Sequence, residues 1–310
     1  MTAVHGEPSV PASGLGVESD AVTAARCVVC GGSLRPWFDR NDRAVFRCPR
    51  CGHIQVPAGV ARSAGGRSIY ESDQSVFEID GNDEYYLDEG TASAARDKLE
   101  FVRRLCPGPG RLLDVGASYG HFLAQAQARF ETYGIELNAR AVAWSVDQFG
   151  VRNAVASLYA LPPALPRPYD VITMWDVIEH LDDPRRALAT CREHLAPGGW
   201  MFLSTPDAGS LMARALGRRW YYQDPLQHIN LFSRRNLLRV LRDGGFLPAS
   251  TTYFGRRYRV RYIVNRLRYL AGDGAAGRLF GAMTHMPARV AAGHVTIKLW
   301  DVMGMAARRE

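Results

Sequence analysis

The chain is nearly devoid of lysine: Lys98 and Lys298 are the only two, so the net charge of +7 rests on arginine. Such an excess fits a nucleic-acid or acidic-ligand partner, and equally a solvated arginine-rich surface. No run approaches the ~18 consecutive apolar residues of a membrane span. The opening MTAVHGEPSVPASGLGVESD has no basic stretch followed by an apolar one. No secretion signal is read there, and a soluble, cytoplasmic protein is expected. Without an oxidising compartment, an even count of six cysteines does not imply disulfides. No internal repeat is evident. What is present is ample apolar material, 47% of 310 residues, enough for a sizeable core and for roughly two domains.

Four of the cysteines are clustered. Cys27, Cys30, Cys48 and Cys51 form C-x2-C-x17-C-x2-C. Each pair makes a tight knuckle, and the glycine after it lets backbone N–H groups face thiolate sulfur. Four soft ligands suit tetrahedral zinc. They saturate the metal, so the zinc is expected to be structural, stapling residues 25–57 into a ribbon too small for its own core. An iron site or two disulfides are the alternatives. His53 is surplus to the ligand count, and Cys106 and Cys191 sit in helical patterns as core residues. Residues 1–24 read as a disordered tail and 58–92 as a linker or lid segment. The remainder, 93–310, reads as one α/β domain with insertions at 207–232 and 256–294.

That domain is organised around RLLDVGASYGHFL, Arg111 to Leu123. A short apolar run has the character of a strand buried on both faces. A glycine turn and a helix from His121 to Phe130 follow, which places backbone N–H groups where a ligand can reach them. The turn reads D-x-G-x-x-x-G rather than the dinucleotide pattern G-x-G-x-x-G. Twenty-two residues beyond Asp114, one β-α-β unit on, Glu136 ends a second apolar strand, placed to accept ribose hydroxyl protons.

The turn resembles the first motif of class I S-adenosylmethionine (SAM) methyltransferases, with Ser118 in place of the middle glycine. YDVITMWDVIEHL, LAPGGWMFLSTP and QHINLFS resemble the small-molecule branch that includes the ubiquinone-biosynthesis type, and the likeness runs over most of Tyr85 to Phe246. It implies a Rossmann-like, doubly wound seven-stranded sheet beside the zinc ribbon, with SAM as cofactor and S-adenosylhomocysteine (SAH) as product. It also implies that Asp114 fixes the turn near the cofactor's amino end and that Gly116, Ala117, Ser118 and Gly120 approach it. Glu136 and Leu137 would meet the ribose, Ser157 and Leu158 the adenine, and Trp175 the methyl region. A helix over Ser93–Cys106 would cover the cofactor.

Methyl transfer to a hydroxyl usually needs a base. His228, His180 and Asp176 are the candidate catalytic residues, histidine because it titrates near working pH. The leading expectation is O-methylation of a small or carrier-linked metabolite such as a sugar or polyketide. A second is an RNA methyltransferase whose ribbon and basic segment, Arg256 to Leu270, grip phosphates. A third is a catalytically silent SAM-binding module whose ribbon recruits a partner. The aromatics of the 207–232 insertion, Trp220, Tyr221 and Tyr222, would wall an acceptor pocket or staple the loop.

Overall fold

The computed structural model describes residues 25–40, 43–57, 89–272, 274–284, 286–291 and 293–310. The tail 1–24 and the linker up to residue 88 lie outside the described residues. The N-terminal ribbon contributes β1 (Arg35–Arg40), β2 (Arg43–Arg47) and β3 (Ile54–Gln55), paired antiparallel in that order. Helix α1 (Glu89–Leu105) begins four residues before the expected start at Ser93.

The organising stretch forms β4 (Arg111–Val115), α2 (His121–Ala126), β5 (Glu131–Glu136), α3 (Ala139–Phe149) and β6 (Asn153–Val155). Helix α2 stops at Ala126, short of the expected Phe130, whose buried ring packs into the core instead. Then come β7 (Tyr169–Trp175), α4 (Pro184–His194) and β8 (Leu195–Pro206). Asn138 caps α3 by accepting from the N–H groups of Arg140 and Ala141, and Asp183 caps α4, with proline in its first turn. The chain continues through α5 (Leu211–Leu216), β9 (Asn230–Leu231), α6 (Arg234–Asp243) and β10 (Phe246–Tyr253). It closes with β11 (Arg256–Arg259), α7 (Val260–Ala271), α8 (Ala275–Met283), α9 (Ala288–Ala291), β12 (His294–Ile297) and β13 (Val302–Arg309).

Seven strands form one sheet in the order β10-β13-β8-β7-β4-β5-β6. Strands β8 to β6 run parallel, and β13 is antiparallel to both of its neighbours. The chain winds outward from β4 through β5 to β6, then returns to β7 on the other side. That reversal is the doubly wound switch point, where the carboxyl ends of β4 and β7 open a crevice. The strand period of two sends alternate side chains to opposite faces. Leu113, Ile172, Met174 and Leu203 pack with Leu188 and Leu237 of α4 and α6. Leu112, Val171 and Phe202 pack with Val102 and Leu123 of α1 and α2.

The basic segment is strand first and helix second: Arg256–Arg259 pair with His294–Ile297, and the helix starts at Val260. The 207–232 insertion contributes a strand of its own. Its β9 pairs with β3 and so becomes the fourth strand of the ribbon sheet. The loop aromatics act mainly as staples. Trp220 and Tyr222 are buried beside Phe38, Val45 and Ile54 of the ribbon.

Candidate functional site

Gly116 turns with φ +74°, and a Cβ there would lie 2.5 Å from Val177 Cγ2. Only glycine combines that backbone conformation with that approach. The N–H groups of Gly116 and Ala117 donate to Ile135 O at 2.9 and 3.0 Å, tying the turn to β5. Ser118, in the motif's second-glycine position, also sits in the left-handed region at φ +48°. Its N–H donates to Glu136 Oε2 at 2.9 Å, while Leu137 and Asn138 N–H groups donate to Oε1 at 2.7 and 2.9 Å. The turn after β4 and the end of β5 thus converge on one half-buried carboxylate whose orientation is preset. A carboxylate offers about four acceptor positions. A ribose diol engaging both oxygens therefore competes with one of these three bonds.

Asp114 does not enter the turn. It is buried, and Thr173 Oγ1 donates to its Oδ1 at 2.6 Å across the β4–β7 pair. Burial pushes its pKa up to about 7, against the lowering pull of Thr173 and Lys98. Ala117 and Leu158 are buried, Leu137 is exposed, and Ser157 Oγ accepts from Tyr159 N–H at 3.2 Å. Trp175 is buried between the edges of Phe122 and Phe254. Its indole N–H has no hydrogen-bond partner among the described residues.

Asp176 follows with φ +56°, a strained conformation for a non-glycine residue. Its N–H donates to Ser204 O at 3.1 Å, and Ser204 Oγ donates back to its Oδ1 at 2.9 Å. Lys98 Nζ reaches Oδ2 at 3.0 Å and stands 5.4 Å from the centre of the Trp175 ring. Burial raises the pKa of Asp176, but the charges of Lys98 and Arg256 outweigh it and hold the group well below the carboxylate range. Asp176 is therefore a fixed anion and a poor proton acceptor. Lys98 went unread at the sequence level. Its one signal was rarity, a lone lysine on the helix expected to cover the cofactor.

His180 and His228 stack with ring centres 5.0 Å apart. His180 Nδ1 lies 2.6 Å from Gln227 O, and His228 Nδ1 lies 3.0 Å from Tyr222 O. A carbonyl only accepts, so both rings carry hydrogen on Nδ1, which leaves the neutral His228 ring its lone pair on Nε2. Burial, together with the neighbouring His180, lowers the pKa of His228 to about 3. Glu179 is buried beneath them, and burial together with the Asp176 charge pushes it up to about 8. Its Oε2 has no partner among the described residues. The ligand atoms of Glu179, His180 and His228 all lie within 4.8 Å of one another. The donor types of this trio could hold a proton or a divalent cation.

The four ribbon cysteines converge as their spacing predicts. Cys27 Sγ is 3.6 Å from Cys51 Sγ, and Cys30 Sγ is 3.4 Å from Cys48 Sγ. All four sulfurs fall within 4.8 Å of one another, and all four cysteines are free of disulfides. Zn–S bonds of ~2.3 Å in a tetrahedron place sulfurs about 3.8 Å apart, so the donor set fits zinc. Burial pushes the Cys27 thiol up to about 11 and Cys51 up as well, so a cation is what would hold them as thiolates.

The family described as Methyltransferase domain matches residues 87–250, just over half of the chain. The ubiquinone biosynthesis O-methyltransferase of Albidiferax ferrireducens is 33% identical over 117 residues, covering 35% of this chain and 46% of that protein. The malonyl-[acyl-carrier protein] O-methyltransferase of Methylococcus capsulatus is 31% identical over 172 residues, covering 51% and 61%. The chain thus spans about half to three fifths of these curated relatives' lengths. Among solved structures, the 1,6-didemethyltoxoflavin-N1-methyltransferase of Burkholderia thailandensis, with its substrate and SAH bound, aligns with a TM-score of 0.51 at 18% identity. That alignment covers 88% of this chain and 98% of the other, and it shows the shared fold. With the glycine turn, the β5 carboxylate and the seven-stranded order in place, the chain belongs to the methyltransferase domain family.

Proposed function

We propose that the protein transfers the methyl group of SAM to a hydroxyl oxygen of a small or carrier-linked metabolite, in the cytoplasm. The observation that carries this reading is the convergence of the Gly116–Ser118 turn on Glu136, beside the switch-point crevice. SAM would supply an already electrophilic sulfonium methyl. The chain's task is then to hold donor and acceptor in line and keep water out. Gly116 to Gly120 present backbone to the cofactor, Glu136 takes a ribose hydroxyl, and the unpaired indole N–H of Trp175 offers a donor at the end of β7. Asp176, neutralised by Lys98, shapes the wall nearest the transferred group. The Nε2 lone pair of His228 receives the acceptor's proton. A base held neutral by burial gains basicity as negative charge builds on the acceptor. The ribbon cysteines hold a structural zinc.

The basic segment supports the RNA alternative less than its composition suggested. Arg256 turns inward, 5.2 Å from the centre of the Tyr222 ring, and contributes its charge to Asp176 rather than to an outer face. Titration calorimetry with SAH tests the main reading. The wild-type chain should bind, and Glu136→Gln should weaken binding at least about tenfold, as expected for loss of charge-assisted hydrogen bonds. No heat of binding with the fold intact would refute the reading.

A further inference from the structure

The ribbon is not an appendage on a flexible tether. Strand β3 pairs with β9, setting Ile54 opposite Leu231 and Gln55 opposite Asn230. Val56 N–H extends the ladder to Ile229 O at 2.8 Å. His228 is the residue just before Ile229. It lines a narrow crevice whose other wall is Val45, Ile54, Gln55 and Val56 of the ribbon.

A second link runs through side chains. Fully buried His53, two residues past Cys51, brings Nε2 within 3.1 Å of Asn230 Oδ1. Asn230 Nδ2 donates at 2.7 Å to the carbonyl of Leu181, the residue directly after His180. Asn230 thus bridges the second zinc knuckle to the turn that carries Glu179 and His180. A third link clamps the first knuckle. Arg185 of α4 donates to Val28 O at 2.7 Å and Val29 O at 2.6 Å, both carbonyls lying between Cys27 and Cys30. The second knuckle is therefore linked to segments adjoining both stacked histidines, and the first is clamped to α4.

We propose that the zinc ribbon is a positioning element for the acceptor side of the site. Its third strand and the His53–Asn230–Leu181 bridge hold His228 and His180 in their stacked arrangement, whereas the cofactor side stands without it. This rests on the methyltransferase reading for what the histidines do, but not for how they are held. The cofactor turn draws its bonds from β5, through Ile135 O and Glu136, and among the described residues it is not bonded to the ribbon. Metal at the four cysteines is thereby coupled to the geometry of the acceptor wall and not to SAM affinity.

Hydrogen exchange read by mass spectrometry on the full chain tests this, together with SAH calorimetry and the Nδ1–H proton resonances of the two histidines. Two perturbations are compared: zinc removal by a chelator, and His53→Ala with zinc retained. His53→Gln, which can still donate to Asn230, serves as the rescue. In both perturbed states, exchange in Tyr222–Leu231 should rise about tenfold or more, the scale of one to two lost buried hydrogen bonds. The His180 and His228 Nδ1–H signals should shift or vanish. SAH affinity should stay within about twofold, and exchange across Arg111–Asn138 should not change, as the cofactor side is independently braced. His53→Gln should restore the pattern. Unchanged protection in Tyr222–Leu231 overturns the proposal, and so does an equal rise across Arg111–Asn138, which would make the ribbon a general staple. If the zinc-loaded wild type fails to bind SAH, the methyltransferase reading falls while the exchange result stands. If the chain holds its ribbon without zinc, the His53 pair of variants decides alone.

Discussion

Asp114 is a carboxyl held where solvent cannot reach it, and the Thr173 hydroxyl donates to it. Its pKa, pushed up by burial to about 7, has a thermodynamic consequence. Between pH ~4 and ~7 the folded chain keeps a proton on Asp114 that the unfolded chain has released. This contribution is therefore fully present below pH ~4 and is lost as pH rises to about 7. Asp114→Asn should abolish that slope, which is at most about 1.4 kcal/mol per pH unit for one proton. Urea unfolding of both proteins across the range measures the difference, and parallel curves would show that Asp114 titrates normally. Lys98 and Asp176 show the opposite balance, where a neighbouring charge overcomes burial and fixes an anion. The same residue type is thus shifted in opposite directions on adjacent strands, and only the neighbours distinguish the two.

At the scale of elements, the site is built where strand ends meet helix starts. Asn138 links Glu136 to α3: its N–H donates to the carboxylate, while its side chain caps the helix at 2.9 Å from Arg140 N and 3.1 Å from Ala141 N. Asn138→Ala should cost about 1 kcal/mol of stability, the usual value of an N-cap. It should also loosen SAH binding modestly, because the N–H that orients Glu136 rests on the cap. Thermal melting and calorimetry read the two effects separately, and a stability loss with unchanged SAH affinity would show that Glu136 is oriented without the cap. The insertion after β8 gains order in another way. A two-residue strand is too short to stand alone, and β9 exists because β3 offers it an edge.

Over the whole molecule, one core continues into the ribbon. Cys27, Val29 and Cys48 belong to the same buried cluster as Leu188, Leu237 and Phe246. Trp220 and Tyr222 pack against ribbon residues Phe38, Val45 and Ile54. Ribbon and methyltransferase domain should therefore unfold together. Scanning calorimetry of the zinc-loaded chain should show one transition with matching calorimetric and van't Hoff enthalpies, and a separate low-temperature transition for the ribbon would contradict this. Among the described residues, no helix is long and apolar enough to cross a membrane.

Read alone, the residues determined the β-α-β order, the glycine turn, the acid at the end of the second parallel strand and the cysteine quartet. Each is a local pattern: periods of two and 3.6, a turn that tolerates only glycine, ligand spacing within a knuckle. The end of α2 and the strand that opens the basic segment were not legible, because contacts far along the chain decide where an element starts and stops. Neither was the Lys98–Asp176 ion pair, which joins residues 78 apart. The inward turn of Arg256 and the bridge from His53 to Asn230 were equally hidden. The placement of β9 beside β3 was decided by tertiary structure alone, since an unsatisfied strand edge is completed by whichever segment the fold brings to it, and no local pattern in either segment names the other.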